Sequence, residues 1–457
     1  ICACRESKRR ERRTHHPQAY FTKHFSEMAD MRTEDIGAAD VCIINSCTVT
    51  AQSDTKCRHF ISRVKRENPA CIIALTGCYP QAFPDKASQI AECDIICGNN
   101  NKTALPQMVH DYFKLRKRTF SVPENYLHQP FEHMMNAEAE QKTRAYLKIQ
   151  DGCDLFCTYC IIPYARGHMR SKPIGDIIKE TEMLVSAGHK EIVLTGINLC
   201  CYGRDLGGLR MIDAIEAVCK VEGDFRVRLG SMEPEMISDE DIARMAAQKK
   251  LCPQFHLSLQ SGCDKTLKAM NRHYTSAEYA EICRKLRAAF PHCAITTDIM
   301  AGFPQESAED HAESLRFAEK TAFADAHIFP YSRRSGTPAD KMSGQLDKKT
   351  KAARAAEMAA VCAKSRAEYN RSFIGRTVEV LFERESSAEH HQGHIAEYVV
   401  VKTPRTSDES LFRQKWLVKI TSADENGCGG YIESCFGRCF YPPEQLRKLQ
   451  IRFDKHI

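Results

Sequence analysis

The pattern of apolar and polar positions divides the chain into three regions of regular structure. In the first, apolar runs at 40–44, 71–75 and 93–97 alternate with polar stretches of helical character. Strands alternating with helices predict a parallel α/β sheet. Residues 1–25 are dominated by charge and show no period, so we expect a disordered basic tail there. The alternatives are a nucleic-acid arm or a start that is truncated or misread, since the chain opens on Ile1.

The second region has six predicted strands that are separated by helical stretches. Six βα units predict a partial, open version of the (β/α) barrel, with its active site at the carboxyl ends of the strands. The strands are predicted at 145–149, 191–195, 225–229, 255–259, 295–300 and 326–330, and the helices at 174–187, 211–220, 238–247, 275–289 and 307–321.

The third region changes to β structure after a long helix at 348–371. Short apolar runs at 377–382, 393–401 and 416–421, with turn residues between them, predict a small antiparallel barrel. Barrels of this kind often bind RNA. Residues 101–140 predict a helix and then a linker. We therefore expect the domains 1–130, 139–371 and 372–440, with a tail at 441–457.

Composition narrows the classes of protein that fit. Of the 457 residues, 43% are hydrophobic and 27% charged, which is typical of a globular protein. We see no apolar run long enough to span a membrane and no secretory signal. The 23 cysteines are scattered, which favours a reducing cytoplasm over a disulfide framework. A net charge of +6 permits an anionic partner such as RNA without requiring one.

The strongest chemical signal is a loop that carries Cys153, Cys157 and Cys160 at C-x3-C-x2-C spacing directly after the first strand of the barrel. Three thiolates on one loop suit a cubane iron–sulfur cluster whose fourth iron stays open to an outside ligand. A zinc site with His168 as fourth ligand is one alternative, although Pro163 lies between. Unliganded thiols are the other.

Two further cysteines occupy equivalent places in the N-terminal region. Cys47 and Cys78 each stand where a predicted strand passes into a loop. Ligands collect at the carboxyl edge of a parallel sheet, which favours a second metal cluster over buried core thiols. Cys428, Cys435 and Cys439 match no strong metal-binding spacing, and we expect plain thiols there.

With these motifs placed, the chain from about Ala39 to residue 440 resembles the methylthiotransferases of the radical S-adenosylmethionine (SAM) superfamily. The three-cysteine loop is shared across that superfamily. Asn45-Ser-Cys47-Thr-Val-Thr and Thr76-Gly-Cys78-Tyr narrow the resemblance to this family. The resemblance implies an N-terminal methylthiotransferase domain, a radical SAM core and a C-terminal TRAM domain that grips RNA.

The resemblance also implies two 4Fe–4S clusters and two molecules of SAM. One cluster, on Cys153, Cys157 and Cys160, would bind SAM and cleave it to a 5′-deoxyadenosyl radical. The other, on Cys47, Cys78 and a third cysteine, would supply or carry the sulfur. A reductase or a flavodoxin-type protein would deliver the electron.

Polar residues and glycines follow five successive strands of the barrel, as expected for the lining of one site. Under the resemblance, Gly196, Asn198, Ser231, Glu233 and Asp298 are candidates to contact SAM: the glycine would let backbone approach the ligand, and the others could hydrogen-bond its polar ends.

Motifs around the barrel indicate a branch of the family. Gln150-Asp-Gly-Cys153, Cys160-Ile-Ile-Pro-Tyr-Ala-Arg-Gly167 and Leu194-Thr-Gly-Ile-Asn198 with the following Tyr202-Gly203 resemble enzymes that modify N6-threonylcarbamoyladenosine at position 37 of the tRNA anticodon loop. Such an enzyme replaces the hydrogen on C2 of the adenine with a methylthio group. The same chemistry on a ribosomal protein is an alternative that these residues disfavour.

The family pattern is incomplete at the N-terminus. A third cluster cysteine would follow an opening strand in a Gly-Cys-Lys-like turn, and we find neither feature here. Cys2 and Cys4 lie near the right end of the chain, but in a different context. If neither substitutes, the protein would be an RNA-binding iron–sulfur protein impaired in sulfur insertion. The adjacent Cys200 and Cys201 receive no role.

Overall fold

The computed structural model describes residues 2–3, 35–124, 129–132, 142–383, 387, 389–405 and 410–435. Most of the predicted basic tail, Cys4, Cys439 and the predicted tail at 441–457 lie outside the described residues. Three assemblies of strands follow one another along the chain: a parallel sheet, an open parallel barrel and a small closed barrel.

The N-terminal sheet has five strands, all parallel, in the order β1-β2-β3-β4-β5. The central strands are buried on both faces: Cys42 and Ile44 pack into one apolar cluster, and Val41 and Ile43 into another. The elements are β1 (Cys2–Ala3), β2 (Val41–Ser46), α1 (Ala51–Glu67), β3 (Ile72–Gly77), α2 (Cys78–Ala82), α3 (Pro84–Ser88), β4 (Ile95–Cys97), α4 (Leu105–Leu115) and β5 (Thr119–Ser121).

Both edges of this sheet differ from the prediction. The expectation of no opening strand is wrong, because β1 pairs with β2 and places Cys2 opposite Cys42. At the other edge, β5 lies within the stretch predicted to be a helix and then a linker. Two-residue and three-residue edge strands carry too few side chains to show a period of two, so pairing with the neighbouring strand reveals them instead.

The central region forms the predicted open barrel. Parallel sheets β10-β9-β6 and β11-β12-β13-β14 join where only Gly230 separates β10 from β11. The strands are β6 (Arg144–Lys148), β9 (Glu191–Thr195), β10 (Arg226–Leu229), β11 (Ser231–Met232), β12 (Gln254–Leu257), β13 (Ala294–Ala301) and β14 (Asp325–Pro330); a two-residue ladder, β7 (Gln150–Asp151) with β8 (Arg170–Ser171), lies beside them.

Helices cover the outer face of this barrel. Alternate strand residues such as Ile192, Leu194 and Phe255 pack against them, which leaves the intervening polar residues facing the lumen. Three helices begin at capping boxes, on Ser238, Thr275 and Ser307. The helices are α5 (Ile162–Arg166), α6 (Ile174–Ser186), α7 (Met211–Lys220), α8 (Asp239–Ala246), α9 (Asp264–Ala269), α10 (Ser276–Ala289), α11 (Ala308–Thr321), α12 (Pro338–Lys341) and α13 (Lys348–Arg371).

The C-terminal strands close into a barrel in the order β15-β16-β17-β19-β18. All pairings are antiparallel except that of β17 with β19. The single strand predicted at 393–401 is wrong: the chain turns at 395–399, where Tyr398 has φ 71° and Ile395 N–H donates to Val399 O at 3.2 Å. The strands are β15 (Thr377–Phe382), β16 (His390–His394), β17 (Val400–Pro404), β18 (Lys415–Asp424) and β19 (Gly427–Cys435).

That turn of the C-terminal barrel covers the amino-terminal end of the central barrel. Arg226 and Arg228, on the lumen face of β10, donate to the carbonyl oxygens of His394 at 2.9 Å and Ala396 at 2.8 Å. Glu191, which is fully buried on β9, accepts from Arg226 Nε and Arg228 Nε at 2.7 Å each. The base of the lumen is therefore closed by a buried ionic network, and the opposite, carboxyl end carries the cysteine loop.

Candidate active site

The three-cysteine loop is held at its two ends by the β7–β8 ladder. Inside the ladder, Cys153 N–H donates to Gly167 O at 3.2 Å. Gly152 has φ 73°, and a Cβ there would lie 1.9 Å from the carbonyl oxygen of His168, so only glycine fits. Between these ends, Cys160 N–H donates to Cys157 O at 2.9 Å. The sequence thus folds the loop back on itself with its three cysteines on one short segment.

The three loop cysteines lie in a largely buried environment: Cys157 is buried, and Cys153 and Cys160 are half-buried. Burial is the main cause that raises the pKa of Cys153. His168, the candidate fourth zinc ligand, is hydrogen-bonded through Nδ1 to Asp154 Oδ1 at 2.7 Å.

A cubane cluster places each thiolate on a different iron and leaves the fourth iron open, which three cysteines on one loop can satisfy.

Gln150 ties the cysteine loop to the end of strand β9. Its Oε1 accepts from the backbone N–H of Ile197 at 2.9 Å and of Asn198 at 3.0 Å, while its Nε2 donates to Gly152 O at 2.8 Å. A Cβ on Gly196 would lie 2.9 Å from Gln150 Oε1, so the glycine permits this close approach. The predicted residues Gly196 and Asn198 are therefore placed directly beside the loop.

Asn198 and Glu233 already have polar partners within the protein. Asn198 Oδ1 accepts from Cys200 N–H at 3.1 Å, and Glu233 forms an ion pair with Arg272. Burial raises the pKa of Glu233 to about 7, although the Arg272 guanidinium opposes the shift. Arg272 also points Nη1 at Cys157 Sγ, 3.4 Å away. Arg272 was not predicted, because it lies in a loop after α9 with no recognisable local motif.

The other predicted residues, Ser231 and Asp298, lie on the lumen face of the barrel. Ser231 is in register with His256 of the neighbouring strand. Asp298 lies between two imidazoles, 3.4 Å from His256 Nε2 and 3.3 Å from His327 Nδ1. Neither histidine was predicted, since each falls inside a strand whose period shows only that one face is polar.

The N-terminal cysteines lie at one edge of their sheet, as predicted. Ser46 and Gly77, which precede Cys47 and Cys78, are directly paired across β2 and β3. Gly77 has φ 99°, and a Cβ there would lie 2.3 Å from Ser46 O. Cys2 is level with Cys42, five residues before Cys47, so β1 does not place Cys2 at this edge.

A residue of the central barrel reaches this edge. Arg166, the last residue of α5, donates from Nε to Cys78 Sγ at 3.2 Å. Burial lowers the pKa of Arg166, but the charges of Cys78, Asp151 and Cys47 outweigh burial and raise it above its ordinary value. Arg166 lies within the motif that ends at Gly167, but its role could not be predicted, because its contact partner lies 88 positions away.

Comparison with known proteins decides the family. Residues 147–318 match the model of the "Radical SAM superfamily", and residues 14–98 match the "Uncharacterized protein family UPF0004". The chain is 37% identical to the threonylcarbamoyladenosine tRNA methylthiotransferase MtaB of Bacillus subtilis (strain 168), over 78% of this chain and 79% of that protein. The chain belongs to the radical SAM methylthiotransferase family.

Other relatives include both tRNA branches of this family. MtaB of Aquifex aeolicus (strain VF5) is 36% identical, over 75% of this chain and 83% of that protein. The tRNA-2-methylthio-N(6)-dimethylallyladenosine synthase of Carboxydothermus hydrogenoformans is 35% identical, over 77% of this chain and 81% of that protein. The family predicted from the cysteine motifs is thereby confirmed.

The fold of the enzyme is similar to that of a solved radical SAM methyltransferase, TsrM from Kitasatospora setae. The TM-score is 0.50 at 12% identity, over 70% of this chain and 68% of that chain. At this identity the likeness concerns the fold alone. Membership of the superfamily implies a 4Fe–4S cluster and SAM. Within the described residues, no helix has the length and apolar character to cross a membrane.

Proposed function

We propose that this enzyme adds a methylthio group to C2 of N6-threonylcarbamoyladenosine at position 37 of tRNA. The observation that carries the proposal is the 36–37% identity, over three quarters or more of the chain, to proteins named for that modification. The Gln150-Asp-Gly-Cys153 motif supports the same branch. Its glutamine joins the cysteine loop to Gly196 and Asn198, in the second motif typical of that branch.

Cys153, Cys157 and Cys160 would hold the cluster that binds SAM. When bound, the cluster and SAM together supply a 5′-deoxyadenosyl radical for hydrogen abstraction. The residues around them hold the site in shape: Gln150 fixes the start of the loop, and Arg272 contacts Cys157. The buried ionic network lies at the base of the barrel behind the site. A base that is closed to water would protect a reactive intermediate.

The proposed SAM-contacting residues fall into two groups in the structure. Gly196 and Asn198 contact Gln150 at the start of the cysteine loop, and Glu233 reaches the loop through Arg272. Ser231 and Asp298 line the lumen beside His256. We assign the first group to the polar end of SAM near the cluster. The second group would face the ribose or the target adenine.

Cys47 and Cys78 would hold the second cluster, which provides the sulfur. Their common sheet edge and the contact of Cys78 with Arg166 support this assignment. Cys4 or another residue would supply the third ligand. Cys2 does not, because the register of β1 holds it level with Cys42 and away from the sheet edge that carries Cys47 and Cys78.

In this proposal, residues 1–130 hold the second cluster and residues 139–371 carry out the radical chemistry. Residues 372–440 would form a TRAM domain that contacts the anticodon loop. An adenosine in a single-stranded loop can unstack and enter a pocket. A reductase or a flavodoxin-type protein would supply electrons. Because the proposed substrate is tRNA, we propose that the enzyme acts in the cytoplasm.

One observation favours a second candidate function. Because Cys2 is not at the cysteine edge, the second cluster of the chain could lack a protein ligand, and the protein would then bind RNA and cleave SAM without inserting sulfur.

Reconstituted enzyme should be incubated with SAM, a reductant and tRNA carrying either N6-threonylcarbamoyladenosine or N6-dimethylallyladenosine, and the digested nucleosides analysed by mass spectrometry. We expect the methylthio product from the first tRNA alone. Cys153→Ala is the control, and should give neither product nor 5′-deoxyadenosine. Product from the dimethylallyl tRNA would contradict the substrate assignment, and 5′-deoxyadenosine without any methylthio nucleoside would favour the second candidate.

A further inference from the structure

We propose that Arg166, through its contact with Cys78, raises the reduction potential of the N-terminal cluster. The inference rests on the proposed second cluster at Cys47 and Cys78. Arg166 belongs to the central barrel and Cys78 to the N-terminal region. Their contact therefore joins the two parts of the chain that would each hold a cluster.

The position of Arg166 joins the two sites through one side chain. It ends α5, which directly follows the cysteine loop, and α5 packs against α2, which begins at Cys78. Arg166 Nε donates to Cys78 Sγ at 3.2 Å, while Nη1 lies 3.4 Å from Asp151 Oδ2. The Arg166 side chain is only 15% exposed, so this bridge is largely shielded from water.

The other end of the bridge is held rigidly. Asp151 Oδ1 accepts from Gly152 N–H at 2.9 Å, which places the carboxylate at the start of the cysteine loop. Asp151 Oδ2 also binds Lys148 at 2.5 Å and Arg170 at 3.0 Å. Arg170 in turn donates to Arg166 O at 2.7 Å. Both the side chain and the backbone of Arg166 are therefore fixed by residues next to the loop.

Charge around this bridge is predominantly positive. Lys148, Arg166 and Arg170 converge on the carboxylate of Asp151. Burial lowers the pKa of Lys102 to about 8, with the charge of Arg166 adding to the shift.

A cluster bound by thiolates is anionic, and reduction adds a further negative charge. A guanidinium hydrogen-bonded to a ligand sulfur stabilises the reduced form more than the oxidised form, and so raises the potential. Removal of this one charge should shift the potential of the N-terminal cluster downward, whereas a purely structural role would leave that potential unchanged.

The test uses the full-length chain with all three loop cysteines replaced by alanine, so that the only remaining cluster is the N-terminal one. In this background, Arg166→Gln and Arg166→Lys are compared with the parent by iron content and by an EPR-monitored redox titration. Arg58→Gln is the matched control, because Arg58 donates to the hydroxyl of Tyr79, at 2.8 Å, instead of to a sulfur.

We expect about four irons per chain in each variant, a lower potential for Arg166→Gln, a smaller shift for Arg166→Lys, and none for Arg58→Gln. Loss of iron from Arg166→Gln but not from Arg166→Lys would also support the role of charge. A parental potential in Arg166→Gln, or equal loss of iron from both Arg166 variants, would overturn the inference. If the parent itself held no iron, the second cluster of the proposed function would fail instead.

Discussion

Glu191 at the base of the central barrel offers a sharp test of how the C-terminal barrel is held. Its carboxylate is fully buried and accepts from Arg226 and Arg228, with Arg144 Nε 3.2 Å away. Arg226 and Arg228 also donate to the backbone carbonyl oxygens of His394, which directly precedes the 395–399 turn, and of Ala396 within it. Glu191→Gln preserves the shape of the side chain but removes the shared counter-charge of two buried guanidinium groups, Arg226 and Arg228, whereas Arg144 keeps its ion pair with Glu383.

The expected cost follows from the burial of the whole network. Breaking a buried ion pair by neutralising one partner destabilises a protein by about 3–5 kcal/mol, because the remaining charge is left uncompensated. Burial raises the pKa of Glu191, but the charges of Arg228 and Arg226 outweigh burial and hold that pKa well below its ordinary value. The ionised Glu191 therefore stabilises the fold above the unfolded carboxyl pKa of about 4.3, and the advantage over Gln shrinks as the pH falls below it.

Urea unfolding followed by tryptophan fluorescence measures this cost. The chain has one tryptophan, Trp416, which lies on β18 of the C-terminal barrel and so reports that barrel directly. Glu182→Gln, at an exposed position on α6, is the control. We expect a much lower urea midpoint for Glu191→Gln at pH 7.5 and a narrowing gap to wild type below about pH 4.3. A midpoint equal to that of the control would refute the role of the network.

Three further predictions concern the cysteine loop, the number of clusters and the buried Lys102. Gly152→Ala should lose the iron of the first cluster and SAM cleavage, since its Cβ would meet His168 O, whereas Gly188→Ala, with a similar φ of 82° and open space around it, should keep both; equal behaviour would contradict the clash. Replacing all three loop cysteines with alanine should lower iron from about eight to about four per chain; a fall from about four to none would mean that one cluster forms. Burial lowers the pKa of Lys102 from 10.5 to about 8. Between these two pH values the folded state binds fewer protons than the unfolded state, so the wild type becomes more stable as the pH rises. The stability advantage of Lys102→Met in urea unfolding should therefore shrink from pH 8 to 10.5, and an advantage independent of pH would show that Lys102 is not desolvated.

The sequence predicts elements well where hydrophobic periodicity is strong. Each of the six predicted strands of the central barrel overlaps an observed strand, and the long helix Lys348–Arg371 lies where the pattern places it; the two-residue strand β11 (Ser231–Met232) was not predicted. The division of 393–401 into two strands was missed, because β16 (His390–His394) consists largely of histidines and has no apolar face to detect. Hydrophobic periodicity shows which face of a strand is buried. A strand whose buried side chains are polar gives no such signal.

The site could be predicted only as far as local motifs extend. Cys153, Cys157 and Cys160 lie close together in the sequence. Cys47 and Cys78 each follow the end of a predicted strand. Arg272 and Arg166 reach the cysteines from 115 and 88 positions away, which a single sequence cannot reveal. The base network likewise joins Arg226 to His394 across 168 positions.

The most direct test of the whole account is the methylthio content of tRNA in cells. A strain lacking its own threonylcarbamoyladenosine methylthiotransferase would express either this chain or its variant with all three loop cysteines replaced by alanine. We predict that digested tRNA from the first strain contains 2-methylthio-N6-threonylcarbamoyladenosine and that tRNA from the second contains only the unthiolated nucleoside. Unthiolated tRNA in both strains, with the protein folded and loaded with iron, would contradict the assignment of this chain as a tRNA methylthiotransferase.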